Sequence, residues 1–85
     1  MNYYVYMLLT KRAGKFISYV GYTNNLKKRV NMHNTSKGAK FTKGSNWNVI
    51  YKKKFISKIN ALKYEILLKR DRKLRFKIKT KALNL

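Results

Sequence analysis

The stretch YVGYTNNLKKRVNMHN, residues 19–34, changes character half-way along. Tyr19 to Tyr22 read as the end of a strand, with Gly21 two residues on and therefore on the same face as Tyr19, leaving backbone open beside it. Thr23 and Asn24 are both good helix N-caps, and Leu26, Val30 and His33 then recur at i, i+4 and i+7, so a short helix over 24–34 is expected. Positions 26, 29, 30 and 33 form one stripe of that helix, which places Arg29 and the only histidine on the face that turns toward a sheet. Lys27 and Lys28 occupy outward positions. Arg29 and His33 either belong to a polar site on the inner face or lie at the stripe's edge and snorkel to water.

Working outward, YYVYMLLT (3–10) and FISYVGY (16–22) are rich in aromatic and branched residues and flank KRAGK, where Gly14 can take positive φ; this is a hairpin. Residues 35–46, TSKGAKFTKGSN, read as a loop, and WNVIYKKKF (47–55) as a third strand. Ser57 can cap a helix over SKINALKYEILLKR, with Ile59, Leu62 and Ile66 on one face and Ala61 and Leu68 on another. A helix so nearly apolar all round is expected to be the central packing element. In the tail, DRKLRFKIKTKALNL, Leu74, Phe76 and Ile78 alternate as in a strand, whereas Asp71 could cap a last helix using Leu74 and Ile78; the short helix is the expectation adopted. The order β-β-α-β-α-α makes one α+β domain over residues 1–85, a small three-stranded sheet with two or three helices on it.

Composition narrows the function. A chain of 85 residues buries only about 60–65% of the surface its unfolded form exposes, so the core is thin. Without cysteine there is no disulfide framework and no thiolate metal cluster. No leader pattern and no apolar run near the roughly 20 residues of a membrane helix is present, so a soluble, cytoplasmic protein is expected. Twenty-two Lys and Arg against two acids leave a net charge of +20, a field that implies a polyanionic partner, nucleic acid first. Seventeen of the cations are Lys and nine residues are Asn, as an AT-rich coding sequence would also produce, so a lysine at any one position says little.

Only Glu65 and Asp71 can offer a carboxylate to a divalent cation, and Mg²⁺ needs oxygen ligands from one or two such groups plus phosphate and water. Asp71 sits where a helix cap is needed; Glu65 is the better ligand, its plain alternative being an i,i+4 pair with Lys69 worth about 0.2–0.5 kcal/mol. Tyr4 and Tyr6 share one face of the first strand. Such tyrosines usually pack across a hairpin, but with a lowered pKa one could take a proton from water.

Tyr4-Val5-Tyr6, Tyr19-Val20-Gly21, then Thr23, Asn25, Leu26, Arg29, His33 and Asn34, then Gly38-Ala39-Lys40-Phe41-Thr42, and Ala61-Leu62 with Glu65 and Lys69, together resemble the GIY-YIG endonuclease superfamily over roughly residues 3–75. The likeness is to small stand-alone bacterial members similar to the nuclease domain of Slx-type structure-specific enzymes. Tyr4 replaces the glycine of the first motif, and the accessory modules of larger relatives are absent. The resemblance implies a three-stranded antiparallel sheet flanked by helices and one-metal hydrolysis of a phosphodiester. It assigns Tyr6 to the general base, Tyr19 to a hydrogen bond in the site, Arg29 to the scissile phosphate, His33 to assistance, and Glu65 to Mg²⁺ or Mn²⁺.

The expected function is a divalent-metal-dependent DNA endonuclease, directed by DNA structure rather than sequence, acting in repair or recombination as a monomer or weak dimer. Lys27, Lys28, Lys37, Lys40 and Lys43 are expected to hold the DNA backbone, with Lys52-Lys53-Lys54 and the basic residues from Lys69 to Lys81, without reading sequence. The rival is a non-catalytic basic nucleic-acid-binding module. A membrane-surface role would need a wide amphipathic helix, which the evenly apolar 57–70 segment does not offer.

Overall fold

The chain's most apolar run, Val5 to Thr10, is buried at every position, and the computed structural model, which describes residues 1–84, explains why. The run lies in β1 (Tyr3–Arg12), the middle strand of an antiparallel sheet of order β2-β1-β3, with β2 at Lys15–Thr23 and β3 at Asn48–Phe55. A central strand covered on both faces needs apolar side chains pointing both ways, so its sequence loses the alternation of a half-exposed strand. Val5 and Met7 join Val20, Ala61 and Leu68 on one face; Tyr6 and Leu8 join Trp47 on the other.

The β1–β2 hairpin closes through Ala13 and Gly14, both at positive φ (53° and 79°), between the paired Arg12 and Lys15. Two residues at positive φ make the mirror-image turn whose twist matches the strands it joins, and glycine takes one of them without strain. The pairing of β1 with β3 shifts between Met7 and Leu8, so Val49 and Tyr51 oppose consecutive residues of β1 and Ile50 is left over as a bulge.

α1 spans Leu26–Asn34, two residues shorter than expected at its start, because Asn25 is the cap: its side chain accepts from the Lys28 N–H at 3.1 Å. Thr23 instead accepts from the Asn25 N–H and braces the entry. α2 (Lys58–Arg70) is capped by Ser57 and α3 (Arg72–Ala82) by Asp71, whose Oδ1 accepts from the Leu74 N–H at 3.0 Å. The basic tail is thus a helix, with Leu74 and Ile78 packed on the core and Phe76 turned outward; its last residue, Leu85, lies outside the described residues. Arg75 ties the two helices together by donating to the Leu68 and Lys69 carbonyls at the end of α2.

The expectation that 57–70 is the central packing element is corrected. Only Ala61 and Leu68 of α2 are buried, while Ile59, Ile66 and Leu67 are exposed. The sheet already fills the centre, so the helix covers it from one side, and a single contact stripe is all that such a covering helix can bury. Truncation should reflect this. Leu68→Ala, at a site with no solvent exposure, is expected to cost about 2–5 kcal/mol in urea unfolding, and Ile66→Ala, at a half-exposed site, under about 1 kcal/mol.

Candidate active site

Cross-strand pairing sets the first two side chains. Tyr6 lies opposite Gly21 and Leu8 opposite Tyr19, so Tyr6 and Tyr19 share the face that α1 crosses. Gly21 is not open backbone, as the sequence suggests: a Cβ there would stand 2.3 Å from the Tyr6 hydroxyl oxygen, so the missing side chain is the space that the phenol fills. Gly38 plays the same part for His33, since its Cβ would fall 2.5 Å from Nδ1.

His33 has no solvent exposure, which excludes the snorkelling alternative for it. Its Nε2 lies 2.8 Å from the Tyr6 hydroxyl and its Nδ1 lies 2.8 Å from Thr42 Oγ1. The directions of these bonds follow from the far end. Thr42 Oγ1 donates its proton to the Ala39 carbonyl at 2.8 Å, so toward His33 it can only accept. The imidazole proton therefore sits on Nδ1, Nε2 presents its lone pair, and the Tyr6 O–H donates into it. A three-residue chain, Tyr6 to His33 to Thr42, runs through the domain with no buried side-chain polar atom left unpaired among the described residues.

Thr42 is where sequence reasoning missed a residue. The segment 35–46, read as a loop, contains a 3-10 turn at Lys40–Thr42 that carries this hydroxyl inward. The turn is held from several sides. The Trp47 indole N–H donates to the Thr42 carbonyl at 2.8 Å, and Asn34 bridges both backbone groups of Trp47 with its amide. Arg12 donates to Ser45 Oγ and to the Phe41 carbonyl, and Thr10 to the Asn46 carbonyl. The sequence signals are the Gly38-to-Thr42 motif, which gave Thr42 no role, and a tryptophan five positions after the threonine.

Burial pushes the Tyr6 hydroxyl up to about 12, opposed by the neighbouring Arg29 guanidinium and reinforced by Tyr19 and Glu65. The lowered pKa with which a tyrosine could take a proton from water is not what Tyr6 has: in an apolar pocket the phenolate loses more hydration than Arg29 returns. Burial, and then Arg29, lower His33 below its ordinary 6.5. Both shifts keep the pair neutral.

Arg29 is half-buried beside this pair, and Tyr19 packs its ring 5.1 Å from that of His33. Glu65 acts on Tyr6 through space and holds Lys69 at 3.3 Å; its side chain is 17% exposed against 53% for the lysine. Tyr6, Tyr19, Arg29 and His33 are thereby brought together on the face that α1 crosses, whereas Glu65 belongs to α2, whose Ala61 and Leu68 pack on the other face of the sheet. Lys27, Lys28, Lys37, Lys40 and Lys43 are all exposed, on α1 and the segment after it, and Lys27 faces Lys52 across a groove of about 590 Å³ that also takes in Tyr4 and Val30. Among the described residues no cluster of three or more metal-type ligands exists. A single, mostly buried carboxylate, here paired with Lys69, would suit a divalent cation that completes its shell with phosphate and water.

A model of the GIY-YIG catalytic domain matches residues 2–79. The chain belongs to the GIY-YIG family. At family level that domain is an endonuclease-type hydrolase. Similar chains include the UPF0213 protein OB0043 of Oceanobacillus iheyensis, 46% identical over 80% of this chain and 77% of its own length, and a UPF0213 protein of Streptococcus pneumoniae, 39% identical over 86% and 74%. The solution NMR structure of the UPF0213 protein BH0048 from Bacillus halodurans superimposes with a TM-score of 0.52 at 32% identity, covering 94% of this chain and 84% of that one. The α+β sheet-and-helix fold of this GIY-YIG chain is shared with it.

Two measurements check the buried chain. In Thr42→Val the acceptor for Nδ1–H is gone, so the ¹⁵N shifts of His33 are expected to leave the single-tautomer pattern for a mixture, whereas Thr42→Ser keeps it. Because the folded His33 pKa is lowered, its contribution to stability is full above pH 6.5 and declines as the pH falls from 6.5 toward the lowered folded value. The wild-type Tm should therefore drop more between pH 7.5 and pH 5 than that of His33→Gln.

Proposed function

We propose that this GIY-YIG domain is a divalent-metal-dependent DNA endonuclease that selects DNA by structure rather than sequence. The observation that carries the reading is the buried Tyr6–His33 hydrogen bond, a phenol aimed at a free imidazole lone pair, with Arg29 beside both. A neutral phenol cannot take a proton unless it gives one up. Tyr6 accepts a proton from the attacking water at Oη as its own proton passes to His33 Nε2; the water oxygen bonds to phosphorus and the opposite P–O bond breaks.

Arg29 binds the phosphate as a planar fork and stabilises the added charge. Tyr6 is 1% exposed, so the groups packed around its hydroxyl have to shift for water to reach the oxygen. Tyr19 orients that water. Glu65 would hold Mg²⁺ or Mn²⁺, and the ion would supply positive charge against the charge that builds up in hydrolysis. Lys69, now paired with Glu65, is released to the DNA backbone.

Lys27, Lys28, Lys37, Lys40 and Lys43 contact phosphates, with Lys52 across the groove from Lys27. Contacts of this kind carry no base information, which suits a monomer or weak dimer that recognises nicks, flaps or branches during repair or recombination in the cytoplasm.

Nicked, flapped, branched and fully paired duplexes incubated with Mg²⁺ or Mn²⁺ provide the test. Tyr6→Phe, Arg29→Ala and Glu65→Gln are each expected to lower cleavage at least about 10²-fold. Lys40→Ala should instead reduce the slope of log affinity against log salt by about 1. Cleavage that survives unchanged in all three site variants would refute the assignment, and a folded protein that binds every duplex but cuts none would leave the binding-module reading in its place.

A further inference from the structure

Phe41 is an apolar ring left half in water beside the site. It is 51% exposed, although the residues around it, Thr42 and Trp47, are 0% and 2% exposed. Its ring lies nearly parallel to Tyr19, at 20° and 6.1 Å between centroids, and Tyr19 in turn lies 5.1 Å from His33. One aromatic therefore separates Phe41 from the proposed relay. Its position is fixed: its carbonyl accepts from Arg12, whose guanidinium also stands 5.4 Å from the ring, and the following residue is pinned by His33 and Trp47. Lys40 and Lys43, both exposed, bracket it in sequence, and exposed Lys37 lies on the same segment.

We propose that Phe41 is a stacking platform for one unpaired nucleobase next to the scissile phosphate. This deepens the endonuclease reading and rests on it. Tyr19 stacks on this ring and the Arg12 guanidinium stands over it at 5.4 Å, a planar cation that can itself stack on a base or yield its place to one. Such an exposed ring among cations matches what a splayed-out nucleotide offers, a flat π face flanked by phosphates. A base inside intact duplex keeps both faces covered by its neighbours and has none to give. The platform thus favours DNA that presents a loose base at the cut, such as a flap, a gap or a branch point, and it ranks substrates without any hydrogen-bond readout of the base.

Binding in metal-free buffer tests this apart from cleavage. The probes are a short duplex carrying one unpaired 2-aminopurine nucleotide and the same duplex fully paired. The wild type is expected to bind the first more tightly and to quench its fluorescence by stacking. Phe41→Leu keeps an apolar cover over Tyr19 and Trp47 but removes the π face, so it should lose about 5- to 100-fold in affinity for the unpaired probe, lose the quenching, and bind the paired probe as before. Phe41→Tyr should retain wild-type behaviour and serves the test if the leucine variant does not fold. Unaltered quenching in Phe41→Leu, or an equal loss on both probes, would overturn the proposal while leaving the endonuclease reading intact. Failure of the wild type to bind either probe would overturn both.

Discussion

The hydrogen bond from the Tyr6 hydroxyl to His33 Nε2 is the constraint around which the rest of the domain is arranged. A phenol and an imidazole with almost no solvent exposure are tolerated only if each polar atom has a partner, because an orphaned one costs about 1–3 kcal/mol. That requirement propagates. The second imidazole nitrogen demands Thr42, the threonine proton demands the Ala39 carbonyl, and the turn that supplies both must be clamped by Trp47, Asn34 and Arg12. Two glycines, Gly21 and Gly38, are needed merely to leave room. A domain this small has little stability to lose, so a chain of satisfied bonds through its centre is also a strong selector of one arrangement of the loop.

The charge makes this arrangement harder to hold. A net +20 repels itself, and among the described residues only one ion pair, Lys69 with Glu65, relieves it. The fold responds by keeping its cations outside and using their stems. Lys53 lies over Tyr64 at 4.8 Å and Arg12 over Phe41 and Trp47, so part of the positive surface also packs. Folding such a chain and attracting a polyanion are therefore the same electrostatic problem: a polyanion at the surface relieves the repulsion that the fold has to bear.

How much of this was legible in the sequence depends on the range of the interaction. The hairpin, the helix after Gly21 and the caps at Ser57 and Asp71 are written in neighbouring residues and were readable. Where competing signals existed the nearest bonds decided. Asn25 rather than Asn24 caps α1, and Asp71 turned the alternating Leu74, Phe76 and Ile78 into a helix rather than a strand. The burial of α2 was misjudged because hydrophobic periodicity reports which residues are apolar and not which element already occupies the centre. Tyr6, Arg29, His33 and Glu65 stood out by residue type and spacing, and by likeness to a family, whereas Thr42 lay in a family-like motif with no role attached to it. A threonine in a polar loop has no local mark, and its role exists only once a histidine nine residues earlier turns toward it.

The two shifted pKa values bear on when the relay can act. Burial raises Tyr6 to about 12 and lowers His33 below its ordinary value, so moving the proton from the phenol to the imidazole is strongly uphill at rest. The resting pair is inert, and a buried phenolate is not a useful base. In a concerted transfer the phenolate never forms: water replaces the proton that Tyr6 loses, and the only new charge in the interior is a proton on His33. What opposes that charge is desolvation and the nearby Arg29, and a bound phosphate counters the second directly by pairing with the guanidinium. On the proposed mechanism an anionic substrate would thus raise the basicity of the histidine that takes the proton, and the site would become a base only with a phosphate beside Arg29.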